Sequence, residues 1–162
     1  MPLCKPKVQE PCPVYAESIL RKIVIDSDII LDHLARPAEK GNGSTPSVLR
    51  LAMSQLFCYT TVFNAIELFS LCASAKERQA VENVMQAMKI LGLNGKSAKN
   101  VGAYLRVSRG RNLHDLEALV AGVCLESRLP LLTGRPRRYR GIRRLYLVAP
   151  EEIVSAHKKG NV

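Results

Sequence analysis

No apolar run in this chain approaches the roughly 18 residues that a membrane-spanning helix requires. Residues 1–22 also lack the continuous apolar core of a secretory signal, so no membrane association and no export are expected. CxxC pairs are absent, and the five cysteines are an odd number at scattered positions. That excludes a ready zinc knuckle or a complete disulfide framework. Cys58, Cys72 and Cys124 fall inside apolar runs and read as buried free thiols, while Cys4 and Cys12 are too widely spaced to make a zinc site. Such cysteine usage suits a reducing, cytoplasmic compartment. His33, His114 and His157 are isolated, and none is given a ligand or base role. There is no internal repeat.

Acids are scarce beside bases: 14 Asp and Glu face 24 Lys and Arg, a net charge of +10. An anionic partner is the first expectation, and nucleic acid is the commonest one, because phosphate contacts by Lys and Arg supply most non-specific affinity. A basic, merely solvated surface is the plain alternative. The length of 162 residues with 47% apolar and 23% charged content suits one domain with a sizeable core and argues against wholesale disorder.

The most informative stretch is Ile23-Val24-Ile25-Asp26-Ser27-Asp28-Ile29-Ile30-Leu31-Asp32-His33-Leu34. Three β-branched residues run into an Asp, and apolar residues then recur at helical spacing, which predicts a buried strand followed at once by a helix. Asp26 then stands at the carboxyl end of a strand, where open α/β sheets place their ligand crevices. Before it, 1–22 reads as an irregular extension, with a short helix over Val14 to Lys22. After it, Arg36-Pro37 stops the helix. Gly41-Asn42-Gly43 makes a turn, and Ser44 or Thr45 caps a helix with Pro46 in its first turn.

A strand is expected over Leu56 to Thr60, then a helix capped by Thr61 that buries Val62, Ala65, Ile66, Phe69 and Cys72. Helices over Ala75 to Met88, Ser97 to Val107 and Asp115 to Leu125 follow, with a weak strand at Lys89 to Leu93 and a loop at Gly110-Arg111-Asn112. Strands at Pro130 to Thr133 and Leu145 to Val148 and a helix over Glu151 to His157 complete the pattern. The alternation predicts a three-layer α/β/α domain over 23–157 around a central, mostly parallel sheet, with 158–162 as a tail.

Several acids lie where an element begins or on an apolar helix face. Asp26 ends the first strand, Asp28 follows in the first helical turn, and Glu67 interrupts Val62 to Phe69. Asp115 and Glu117 precede the uncharged run Ala118 to Val123. Asp28 and Asp115 would favour helix N-termini in any case. Glu67, further into its helix, has no such excuse. Carboxylates in apolar surroundings are costly unless paired or metal-bound. Carboxylates without a Cys or His ligand pattern suit a hard cation, Mg²⁺ or Mn²⁺, and beside a basic surface they point to metal-assisted phosphodiester hydrolysis. Asp32 reads as a surface ion-pair partner. Asn64 would hydrogen-bond an acidic neighbour or face solvent.

Four segments together resemble the motifs of PIN-domain ribonucleases. Val24-Ile25-Asp26-Ser27-Asp28 is similar to the first, and Thr61-Val62-Phe63-Asn64-Ala65-Ile66-Glu67 to the second. Gly110 through Glu117-Ala118-Leu119-Val120-Ala121-Gly122 is similar to the third, and Leu131-Leu132-Thr133-Gly134-Arg135 with Tyr139 to the last. Order and spacing agree over 23–148, and the size fits best the VapC-type toxins of toxin–antitoxin pairs. The resemblance implies a PIN-like fold and a Mg²⁺- or Mn²⁺-dependent endoribonuclease that a cognate antitoxin neutralises and that forms a homodimer. Asp26, Glu67 and Glu117 would hold the metal, with Asp115 sharing the catalytic role and Asp28, Thr61, Asn64 and Thr133 in support. Two departures stand out: Glu117 replaces the usual Asp, and Arg135 stands where a further Asp or Asn is common.

The run from Arg135 to Arg144 holds six arginines in ten residues. Arg135, Arg137, Arg138 and Arg140 would grip RNA phosphates and Tyr139 would stack on a base or anchor the core. An antitoxin's acidic segment would compete for that surface. Two other readings compete with the nuclease: a PIN-like module that binds RNA or protein without cutting, and a phosphoryl-receiving regulatory domain, which Asp-x-Asp after a strand also suits. The latter wants a Lys where Gly134 and Arg135 stand.

Overall fold

The computed structural model describes residues 22–36, 45–108 and 115–160. Expectations for the N-terminal extension, the Gly41–Gly43 turn and the Gly110–Asn112 loop lie outside the described residues. In chain order the elements are β1 (Lys22–Ile25), α1 (Ser27–Ala35), α2 (Val48–Gln55), β2 (Phe57–Thr61), α3 (Val62–Leu71), α4 (Ala75–Gln86) and β3 (Lys89–Leu91). Then come α5 (Gly95–Ser108), α6 (Asp115–Ser127), β4 (Leu131–Leu132), β5 (Leu147–Val148) and α7 (Pro150–Gly160). A short 3₁₀ turn, Pro136–Tyr139, lies inside the arginine run, where sequence periodicity gave no element.

Five strands form one sheet in the order β3-β2-β1-β4-β5, and every pairing is parallel. The register puts Val24 beside Tyr59 on one side and Leu131 on the other. The chain therefore leaves β1 toward β2 and returns past it to β4. This reversal makes the crevice at the carboxyl ends of β1 and β4 the topological switch point of the sheet.

The period-two alternation of a strand divides the core between the two faces of the sheet. Ile23, Ile25 and Leu132 pack with Ile29, Ile30, Leu49, Leu68 and Ile153, from helices α1, α2, α3 and α7. Val24 and Leu131 pack on the other face with Val120, Ala121 and Cys124 of α6. The three-layer α/β/α arrangement is thus as expected. Cys58, Cys72 and Cys124 are free thiols; Cys58 and Cys124 are buried and Cys72 half-buried. No helix among the described residues is long and apolar enough to cross a membrane.

Two local expectations are corrected. The cap of α2 is Ser47, whose hydroxyl accepts from Arg50 N at 3.2 Å, so Pro46 precedes the helix instead of entering its first turn. In α3 the buried residues are Asn64, Ala65 and Leu68, while Ile66 is 59% exposed and Phe69 also faces outward. This helix is apolar nearly all round, so periodicity could not select its inner face. Asp32 forms the expected surface ion pair, with Arg36 at 3.0 Å.

Candidate active site: a carboxylate cleft under an arginine turn

The end of β1 delivers Asp26 directly into the N-cap of α1. Its Oδ1 accepts from Ser27 N at 2.9 Å, and its Oδ2 accepts from the Tyr139 hydroxyl at 2.9 Å. The residue is 6% exposed. Burial, helped by the nearby Asp28 charge, pushes its carboxyl up to about 6, although hydrogen bonds from Thr133, Tyr139 and Ser27 pull the other way. Burial also raises the Asp28 carboxyl, against the pull of Gly134 N–H and Arg135. Asp28 Oδ2 accepts from Gly134 N at 2.9 Å, which ties the start of α1 to the segment leaving β4. Its Oδ1 is buried and has no hydrogen-bond partner.

β2 and α3 supply the second wall. The Thr61 hydroxyl accepts from Asn64 N at 3.1 Å, the expected cap, and thereby sets the first turn of α3. Asn64 does not bond an acid. Its Nδ2 donates to Ile25 O at 3.0 Å and to Thr60 Oγ1 at 3.3 Å, clamping the carbonyl just before Asp26, while its buried Oδ1 has no partner. Glu67 follows one turn later and lines the same cleft.

The third wall is α6. Glu117 is buried there, and its Oε1 lies 2.6 Å from Nη1 of Arg138. Asp115 begins the helix, but its side chain lies outside the described residues. Together Asp26, Ser27, Asp28, Asn64, Glu67 and Glu117, with the apolar Leu116 and Val120, line one narrow cleft that Arg135, Arg138 and Tyr139 also border. Thr133, buried at the end of β4, lies behind Asp26 and accepts from Arg135 N at 3.0 Å.

Of the two roles expected for Tyr139, the structure selects the core anchor. It is 3% exposed and packs with Val24, Val120 and Cys124, so no ring face is available to stack on a base. The buried phenol instead holds Asp26, and burial with that carboxylate drives its own ionisation far up. Arg138, placed by sequence among RNA-gripping residues, pairs with Glu117 although it remains partly exposed, and Arg135, Arg137 and Arg140 are exposed as well. The backbone N–H groups of Ser27 and Gly134 were missed by sequence reading, since a backbone donor leaves no residue-type signal.

Does a divalent cation suit this cleft? Its donors are all oxygen, and two of them, Asp28 Oδ1 and Asn64 Oδ1, are buried without partners, which fits a hard cation. Among the described residues, however, no three His, Cys, Asp or Glu side chains lie close enough together to hold a metal ion. Arg138 now supplies the positive charge at Glu117.

No family model matches the chain, and no curated protein does. Solved structures do. A chain of DNA-bound VapBC from Salmonella typhimurium superposes with a TM-score of 0.64 at 16% identity, over 80% of this chain and 98% of that one. VapBC-1 from nontypeable Haemophilus influenzae gives 0.63 at 17% identity, over 80% and 98%. A toxin–antitoxin complex from Klebsiella pneumoniae gives 0.57 at 15% identity, over 79% and 97%. At such identities the likeness is one of fold. The five-stranded parallel sheet between helical layers is the PIN-like α/β/α fold expected from the sequence, and the chain shares that fold with chains of these toxin–antitoxin complexes.

Proposed function

We propose that this protein is a Mg²⁺- or Mn²⁺-dependent endoribonuclease, the toxin of a toxin–antitoxin pair. The observation that carries the proposal is the gathering of Asp26, Asp28, Glu67 and Glu117 in one cleft at the switch point, bordered by exposed arginines. Asp26, Glu67 and Glu117 would hold the ion, with the unpartnered oxygens of Asp28 and Asn64 facing the same cleft. When bound, the ion supplies electrostatic stabilisation to the charge that builds on a phosphate under attack and makes water more acidic.

The protein's own residues do the rest. Ser27 N–H and the Tyr139 hydroxyl fix both oxygens of Asp26, so its plane is set before any ligand arrives. With its carboxyl near 6, Asp26 is mostly charged at neutral pH and is the cleft's most strongly penalised anion. Asn64 holds the strand end beneath it. Asp28 and Thr133 keep the β4 exit loop in place, and Asp115 is the reserve acid at the head of α6. Arg135, Arg137 and Arg140 offer planar donor forks to RNA phosphates. An acidic antitoxin segment would cover the same arginines, and two copies of the chain would form a homodimer. The VapBC and toxin–antitoxin neighbours support the antitoxin part of this proposal.

The test is purified protein with a panel of single-stranded and hairpin RNAs, with Mg²⁺, Mn²⁺ or EDTA, beside Asp26→Asn. Cleavage that needs the metal and is lost in the variant is expected. Cleavage that survives both EDTA and the substitution would remove the proposal. A second reading, a PIN-like module that binds RNA or protein without cutting, is favoured by the Arg138–Glu117 pair. RNA binding at unchanged affinity with no cleavage under any metal would select it.

A further inference from the structure

The turn Pro136–Tyr139 is pinned at its last residue. Tyr139 is buried in the core beside α6 and hydrogen-bonded to Asp26. Its neighbour Arg138 is thereby held over the cleft, and the guanidinium meets Glu117 with Nη1 and Oε1 2.6 Å apart. The two partners are unequal. The Glu117 side chain is 8% exposed and the Arg138 side chain 49% exposed. Glu117 is shielded from water and Arg138 is its ion-pair partner, whereas Arg138 has water available and can leave.

A guanidinium and a divalent cation compete for one carboxylate, because each neutralises the same charge and like charges repel. From this geometry we infer that Arg138 is a built-in counter-ion of Glu117 that a divalent cation must displace, and so sets the metal affinity of the cleft. The inference rests on the metal-site proposal above. The other rim arginine, Arg135, acts on a different acid: its charge bears on Asp28.

The experiment is Mn²⁺ binding to the full chain, followed by calorimetry and by the loss of the free-ion paramagnetic resonance signal. The variants are Arg138→Met, which removes the charge and keeps an unbranched side chain, Arg138→Ala, Glu117→Gln, the Arg138→Met/Glu117→Gln pair and Asp26→Asn. Circular dichroism establishes that each is folded. Removing the competing charge is expected to tighten Mn²⁺ binding at least about tenfold, given the coupling measured for close charge pairs. That gain should vanish in the double variant. If Arg138→Met and Arg138→Ala bind Mn²⁺ no more tightly than the parent while Asp26→Asn weakens binding, the metal site stands and the counter-ion role is overturned. If none of these proteins binds Mn²⁺ at millimolar concentration, both are overturned.

Discussion

Replacing Asp26 with asparagine should stabilise the fold at neutral pH even as it removes the function. The carboxyl rises from 3.8 to about 6 on folding, chiefly through burial. The folded state therefore binds the proton more tightly than the unfolded chain, and stability falls as pH climbs through that interval. At 1.36 kcal/mol per pH unit the full penalty is about 3 kcal/mol, reached above pH 7, with roughly half already present at pH 5. Asparagine carries no charge. Its oxygen can still accept from Ser27 N, and its amide can donate to the Tyr139 oxygen, so the local hydrogen bonds persist. Urea unfolding of parent and variant in metal-free buffer from pH 5 to pH 8 measures the difference directly. The variant's advantage should widen by about 1 kcal/mol over that range. An advantage that is flat with pH, or one that shrinks as pH rises, would refute the claim that burial of the Asp26 charge outweighs its hydrogen bonds.

Tyr139→Phe leaves Asp26 Oδ2 without its donor, so it should cost about 1–3 kcal/mol. The loss should be larger at pH 8 than at pH 5, because the charged carboxylate needs that bond most; the same unfolding series reads it. Gly122→Ala places a methyl against the Val101 side chain where α5 crosses α6, inside ordinary contact distance. Unless Val101 changes rotamer, a loss of about 1–3 kcal/mol is expected, and a melting temperature equal to the parent's would contradict the tight α5–α6 packing.

The sequence made some of this legible because the signals are local. A β-branched run meeting Asp26, and Thr61 placed just before the apolar run that starts at Val62, each specify a strand end and a helix cap within a few residues. These two features positioned half of the cleft. The apolar periodicity of α3 misled because Val62, Ile66 and Phe69 line up as convincingly as Ala65 and Leu68. Tertiary demand decides the matter: Ile25 O needs a donor, and Asn64 must face inward to provide it. The contacts that define the cleft's electrostatics join residues far apart, Asp26 with Tyr139 and Glu117 with Arg138. Nothing in a run of six arginines says which one pairs with Glu117. A 3₁₀ turn anchored by a buried tyrosine selects Arg138, and that selection exists only once β1, α6 and the turn are packed together.

The claim on which the account depends is that a divalent cation binds among Asp26, Glu67 and Glu117. Crystals soaked in millimolar Mn²⁺ and measured for manganese anomalous scattering test it most directly. The account predicts one peak in the cleft between these three carboxylates, with the Arg138 side chain moved off Glu117. An empty cleft, or manganese only elsewhere on the surface with Arg138 still on Glu117, would contradict it.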